Sequence, residues 1–360
     1  MRGLSKIIIL RMAKIVVGMA PRAAVSGTPR GLRARQSPRR APRHHPHHRT
    51  RPTAPSSSSS TTASVSVDRL DEIEERACVD MANRLQAAEL SVPGHGGPVK
   101  MTFVGPDGQV AGDKPVLVLL HGFDSSCLEF RRLFPLLEAD FEVYALDVLG
   151  WGFTDSRGQD CGPKYKSGVV VEFLDKVVGG GRQVTLLGAS LGGAIAIDLA
   201  AGRPDLVSKL VLVDAQGFQD GIGALQYLPE FLTKFFLEVL RSVPLRNAAN
   251  KMSYFEKDKF ATKDALNIGR LHTFKNDWVS GNLSFIKSGG LAVSSLIPRI
   301  SQQTLVVWGD NDEILPKEDK FKFVDAIPKS ALRIIPECGH VPHLEKPQEL
   351  AFYVRELHDL

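Results

Sequence analysis

The stretch Gln183-Val184-Thr185-Leu186-Leu187-Gly188-Ala189-Ser190-Leu191-Gly192-Gly193-Ala194-Ile195-Ala196-Ile197-Asp198-Leu199-Ala200 decides the fold. Its first five residues are short, apolar and partly β-branched, as a buried strand requires. The run from Gly193 to Ala200 is rich in small residues and reads as a helix. Between them stands G-x-S-x-G, which at a strand-to-helix junction marks a nucleophile elbow. Such a turn strains the serine backbone, and Gly188 and Gly192 keep side chains out of the crowded space around it. Ser190 Oγ then projects from the carboxyl edge of a sheet, above a helix N-terminus that favours developing negative charge.

The pattern alone is short and equally fits a plain tight turn. Order along the chain gives it weight. Gln303-Thr304-Leu305-Val306-Val307-Trp308 leads into Gly309-Asp310-Asn311-Asp312-Glu313-Ile314. Ala331-Leu332-Arg333-Ile334-Ile335 leads into Cys338-Gly339-His340-Val341-Pro342-His343. A serine, an acid and a histidine thus follow separate strand-like runs in the order Ser, Asp, His.

With these residues the chain resembles the α/β-hydrolases over about residues 100–360. Val116-Leu117-Val118-Leu119-Leu120-His121-Gly122-Phe123-Asp124 is similar to the family's HG-type oxyanion loop. Asp147-Val148-Leu149-Gly150-Trp151-Gly152-Phe153-Thr154-Asp155-Ser156 resembles its D-x-x-G-x-G-x-S segment, with Thr154 where Ser is commoner. Within the family the chain is most similar to plant and algal plastid members known only as esterase-like or hydrolase-like. The shared stretches are Leu120 to Glu129 and Ile268-Gly269-Arg270-Leu271-His272. The resemblance implies a mostly parallel central sheet flanked by helices with a helical cap, and says little about the substrate.

The roles it implies are specific. Ser190 is the nucleophile, inert until a base removes its proton. His340 is that base, and Asp312 orients it and stabilises its imidazolium. The backbone N–H groups of Phe123 and Leu191 form the oxyanion hole, each worth about 3 kcal/mol in the transition state. Asp214, also at a strand end, is the second candidate for the acid, and Asp310 is a loop neighbour. The pair His340 and His343 has H-x-x-H spacing, but beside a serine elbow it is not read as a metal site. His121 is expected to brace the oxyanion loop. No cofactor and no metal are expected.

A carboxylic ester substrate, small or lipid-like, is the first expectation. The alternative is a carbon–carbon bond hydrolase of the meta-cleavage-product type. Members of that kind usually carry Trp after the histidine, whereas this chain has Val341. Ser190 stands against epoxide hydrolases and haloalkane dehalogenases, which use an aspartate nucleophile, although Tyr227 and Tyr254 fall in the cap. A ligand-binding receptor on a hydrolase scaffold, with little turnover, is the third reading.

The net charge of +5, from 45 Lys and Arg against 40 Asp and Glu, misleads. Residues 1–67 carry 13 basic residues and no acid, which leaves the remainder at 32 basic against 40 acidic, a net charge of −8. The basic footprint of a nucleic-acid binder is absent there, so no nucleic-acid partner is expected. Residues 1–67, rich in Arg, Ser and Pro, have the composition of a transit peptide. A chloroplast destination is expected, with the mitochondrion as alternative; a disordered basic tail is the bland reading. Ile7 to Val17 is interrupted by Arg11 and Lys14 and is too short to span a bilayer. No transmembrane segment is expected, and peripheral membrane contact is left open, as are the oligomeric state and Met19 as a second start. His44, His45, His47 and His48 lie in the Arg-Pro tail and are not read as a metal site. Cys78, Cys127, Cys161 and Cys338 form no C-x-x-C pair, so free thiols are expected.

Five segments follow. Residues 1–67 are the leader and 68–112 an N-terminal helix with the first strands, the helix spanning Asp68 to Leu90. Residues 113–215 are the first part of the core, 216–300 the cap and 301–360 the rest of the core. No strand signal occurs between Gln216 and Ile300. Phe231, Phe235 and Phe236 are expected to line an acyl pocket or to join cap to core.

Overall fold

The computed structural model describes residues 62–106, 114–156 and 158–359. Residues 1–61 of the expected leader, with its four histidines, lie outside them. The expected boundary at residue 67 changes, because Ala63–Ser64 pairs antiparallel with Gln86 and Ala87 and Val65 and Val67 pack against the core, so the fold begins before Asp68. Among the described residues nine strands form one sheet: β1 (Ala63–Ser64), β2 (Gln86–Leu90), β3 (Val99–Val104), β4 (Val116–Leu120), β5 (Glu142–Leu146), β6 (Val184–Ala189), β7 (Val207–Val213), β8 (Gln303–Gly309) and β9 (Ser330–Ile335). Their order is β1-β2-β3-β5-β4-β6-β7-β8-β9. The pairings β1–β2, β2–β3 and β3–β5 are antiparallel and all others parallel. After β4 the chain turns to β5 on one side and then to β6 on the other. This reversal opens a crevice at the carboxyl ends of β4 and β6, where open α/β sheets place their sites.

Side-chain alternation accounts for the core. Val116, Val118 and Leu120 of β4 enter the layer on one face of the sheet. Leu117 and Leu119 enter the layer on the other. Both faces are covered by helices, so the strand is apolar throughout instead of alternating. Truncating any of these fully buried leucines to alanine would cost about 2–5 kcal/mol.

Two further expectations change. The helix expected from Asp68 to Leu90 covers only Arg76–Asn83, and Gln86–Leu90 is a strand paired antiparallel with β3. A short apolar run fits both periods, and pairing along a sheet edge decides between them. Between β7 and β8 stand helices Glu230–Leu240, Val243–Ser253, Lys257–Phe260, Lys263–Ile268 and Trp278–Lys287, with short 3-10 turns. In Glu230–Leu240 the helical period puts Thr233, Phe236, Leu237 and Leu240 inside. Phe231 and Phe235 fall on the opposite side, 70% and 68% exposed, and neither lines a pocket nor joins cap to core.

Candidate active site

Ser190 has φ 51° and ψ −120°, a strained conformation between β6 and helix Leu191–Gly202. It is held from both sides. Its N–H donates to Val213 O at 3.0 Å, and its carbonyl accepts from Gln216 N at 2.9 Å. A Cβ at Gly188 would overlap the Gly192 carbonyl, and one at Gly192 would overlap the Leu120 carbonyl. Only glycine therefore permits this approach of helix to strand. Leu191 opens the helix, where N–H groups lack intrahelical acceptors. The loop after β4 comes up against the serine: a Cβ at Gly122 would lie 3.2 Å from Ser190 Cβ and 3.7 Å from its Oγ. Phe123 follows on that loop.

His121 braces the loop from beneath. Its Nε2 accepts from Val148 N at 2.9 Å, which leaves the proton on Nδ1, 2.8 Å from Gly122 O. Asp147 fixes the neighbouring segment by accepting from Cys127 N at 2.7 Å, Phe153 N at 2.8 Å and the Thr102 hydroxyl. Thr154, at the position where Ser is commoner, donates from Oγ1 to Asp147 O at 3.0 Å.

His340 follows β9, and Asp312 follows β8. Nδ1 of His340 lies 2.9 Å from Asp312 Oδ2, while Asp312 Oδ1 accepts from Ile314 N at 2.7 Å and Leu315 N at 3.2 Å. Burial would raise the Asp312 carboxyl, but the charge and hydrogen bond of His340 and these amides hold it below its ordinary value. Asp214, at the end of β7, accepts instead from Gly309 N at 3.0 Å. Burial and the adjacent Asp312 carboxylate push Asp214 well above the ordinary range. Ligand atoms of Asp214, Asp312 and His340 lie within 4.8 Å of one another. Hydrogen bonds within the cluster account for this closeness. Asp310 points away, its carboxylate 57% exposed beside Lys320.

Ser190, His340, Gly122 and Phe123 line one cavity of about 260 Å³. Its apolar wall includes Leu240, Leu245, Ala249, Met252, Tyr254 and Ile268 from the segment between β7 and β8. Two links fasten that segment to the strand ends. The first is Asp124, buried at φ 47°, next to Phe123. It accepts from Arg246, from Trp278 Nε1 at 2.7 Å and from His272 Nε2 at 3.1 Å. Burial would raise its pKa, but Arg246, His272 and Trp278 outweigh that and hold it at about 2. The second link is His340 N, which donates to Ser253 O at 2.8 Å. Glu345 supports it by accepting from Gly339 N at 2.7 Å and Glu256 N at 2.7 Å. Rings join the same parts: Phe123 meets Trp151 edge-on at 5.2 Å, and Trp151 meets Phe285 at 4.9 Å.

The structure thus brings together the sequence-derived residues Ser190, Asp312, His340, Phe123 and Leu191. Reading the sequence gave no role to Asp124, Glu129 or Arg246. An acid directly after His-Gly-Phe and another among the apolar residues 127–130 were the available signals. The four cysteines are buried and unpaired. Among the described residues no helix is long and apolar enough to cross a membrane.

The alpha/beta hydrolase fold family matches residues 115–347. The chain is 39% identical over 240 residues to the alpha/beta hydrolase domain-containing protein VTE7 of Arabidopsis thaliana, covering 66% of this chain and 72% of that one. It is 29% identical over 243 residues to a 2-hydroxy-6-oxononadienedioate/2-hydroxy-6-oxononatrienedioate hydrolase of Escherichia coli, covering 64% of this chain and 81% of that one. Among solved structures, a thermophilic esterase from Thermogutta terrifontis superposes with a TM-score of 0.63 at 20% identity, covering 75% of this chain and 97% of that one.

Proposed function

Because the chain belongs to the α/β-hydrolase family and is a hydrolase, we propose that it is a serine hydrolase acting on a carboxylic ester. The observation that carries this reading is one cavity holding strained Ser190 and His340, with His340 bonded to Asp312 at 2.9 Å. With its Nδ1 proton directed to Asp312, His340 keeps Nε2 free to take the Ser190 proton. Ser190 Oγ attacks the ester carbonyl, and the Phe123 and Leu191 amides receive the oxyanion. His340 passes the proton to the departing alcohol, leaving an acyl-serine. Water, deprotonated by the same imidazole, then releases the acid and frees Ser190.

An apolar wall suits an acyl chain or another lipid-like group. The Escherichia coli relative favours the second reading, carbon–carbon cleavage, and its substrate is by name a dioate. A dianion calls for free cations. The two guanidiniums in this cavity wall are already engaged, Arg131 by Glu75 and Arg246 by Asp124, and Glu129 adds an acid. A neutral ester therefore fits better. For localisation, the acid-free Arg/Ser/Pro segment before Asp68 supports import into a chloroplast, with the mitochondrion second.

The test is labelling by a fluorophosphonate together with hydrolysis of p-nitrophenyl esters. The wild-type protein should label and turn over; Ser190→Ala should do neither while keeping its circular dichroism. Esterase activity surviving in Ser190→Ala sinks the proposal. A folded wild-type protein that takes no label points to the ligand-binding receptor instead.

A further inference from the structure

Two polar residues of the cavity wall take no part in the proposed triad. Glu129, from the 3-10 helix Cys127–Phe130, and His343, from the turn after His340, both line it. His343 is 2% exposed, and neither ring nitrogen has a hydrogen-bond partner. Its Nε2 lies 3.4 Å from Glu129 Oε1, and its ring packs against Phe130 at 5.2 Å. Glu129 Oε1 accepts from Gly122 N at 3.1 Å, so the pair abuts the loop that touches Ser190. A buried imidazole without partners is unusual, because buried polar groups are almost always satisfied.

The chemistry of the pair narrows what fills it. Burial lowers His343 to about 3, with the nearby His340 and Arg131 acting in the same direction. The ring is therefore neutral at ordinary pH and offers one donor and one acceptor. Burial pushes the Glu129 carboxyl up to about 7, against hydrogen bonds from Ser125 and Gly122 that lower it. A ligand carboxylate would face an acid here, and a hydrocarbon would leave both ring nitrogens unsatisfied. A hydroxyl both donates and accepts, which matches the imidazole and carboxyl together.

We propose that Glu129 and His343 form a hydroxyl-binding subsite, so that the natural substrate is an ester carrying a free hydroxyl close to the scissile bond, such as a partial ester of a polyol. This rests on the serine-hydrolase reading and narrows its substrate class. A site built around a hydroxyl discriminates against the analogue lacking it, because its own polar groups are then left unpaired.

The test uses the full chain and two esters of one acyl chain, 1-monooctanoylglycerol and propyl octanoate, with acid release followed by titration. The wild-type protein should favour the glycerol ester in kcat/KM by about tenfold or more. In His343→Phe, which keeps a ring against Phe130, that ratio should fall towards one, through KM. His343→Gln, which restores a donor and an acceptor, should recover part of it. Fluorophosphonate labelling of Ser190 in each variant reports an intact site. A wild-type ratio near one overturns the subsite, as does a ratio that survives in a His343→Phe protein that still labels. A wild-type protein that neither labels nor cleaves either ester removes the serine-hydrolase reading and the subsite with it.

Discussion

At the ends of β4, β6, β7 and β8 almost every side chain is buried, whereas helix Val243–Ser253, which lines the same cavity, buries only Leu245. The strand ends hold Ser190 and Asp214 at positive φ and pack glycines where a Cβ would overlap backbone. Such a frame has one arrangement, which suits groups that must meet within tenths of an ångström. The cap presents Ala249 and Met252, a small and an unbranched side chain that adapt to a ligand. On the proposed reading, chemistry falls on the rigid side and substrate selection on the compliant side. Asp124 fastens one to the other.

The largest effect should separate two carboxylates at neighbouring strand ends. Asp312→Asn removes the charge that orients His340, and kcat for ester hydrolysis should fall about 10³–10⁴-fold. Asp214 accepts from Gly309 N, while His340 Nδ1 is bonded to Asp312, so Asp214→Asn should lower kcat by less than about tenfold. Steady-state kinetics on folded variants checks both. Equal losses would mean that the two acids share the role, and that the frame is less finely divided than its hydrogen bonds indicate.

Next comes the fastening itself. Asp124→Ala strands Arg246, His272 and Trp278, which with Asn282 are the cap's donors to one carboxylate. Leaving such buried groups unpaired costs about 3–5 kcal/mol. Urea unfolding should show that loss, and kcat/KM should fall with it because Phe123 adjoins the hub. If the protein is destabilised while kcat/KM is unchanged, Asp124 holds the cap but does not position the oxyanion loop.

The same division explains what could be read from sequence. Gly188 to Gly192, His121-Gly122, Asp312 and His340 are local patterns, because a strained turn or a strand-end loop is specified by the residues that form it. The strands from β4 to β9 were legible for the same reason, as apolar runs between turns. Asp124 and Arg246 are 122 residues apart, and nothing in either segment announces the other. Helix Val243–Ser253 was missed because its apolar face is short, with Leu245 and Met252 spread among Arg246, Asn247, Asn250 and Lys251. Phe231 and Phe235 drew attention as aromatics, yet the direction a helix face takes is set by the layer beneath it.

Acid should loosen the frame by a smaller amount. His121 and His343 are lowered by burial to about 4 and about 3, against an ordinary value of 6.5. The unfolded chain takes up their protons below pH 6.5 while the folded chain does not, so stability falls as pH drops from 6.5 towards 4. Each contributes on the order of 1–2 kcal/mol between pH 7 and pH 5. Glu129 has the opposite sign. Raised to about 7 from 4.5, it is protonated in the fold first, so it adds stability as pH falls from 7 to 4.5. Glu129→Gln should therefore lose more stability than the wild type between pH 7 and pH 5, as read by thermal unfolding. A variant that loses less would reverse the sign assigned to Glu129.

The smallest effect belongs to the outer face of the cap. Phe231 and Phe235 are one helical turn apart and 70% and 68% exposed. The inner residues of the same helix, Phe236, Leu237 and Leu240, carry its packing. Phe231→Ser and Phe235→Ser should each change unfolding free energy by less than about 0.5 kcal/mol, and kcat/KM on a soluble ester by less than about twofold. If either rate falls tenfold, these rings are covered in the working protein. The boundary between the lining and the outside of helix Glu230–Leu240 would then be misplaced. If the rates hold, the cap acts on substrate through Leu240 and the helix Val243–Ser253, the face tied by Arg246 and Ser253 to the strand ends.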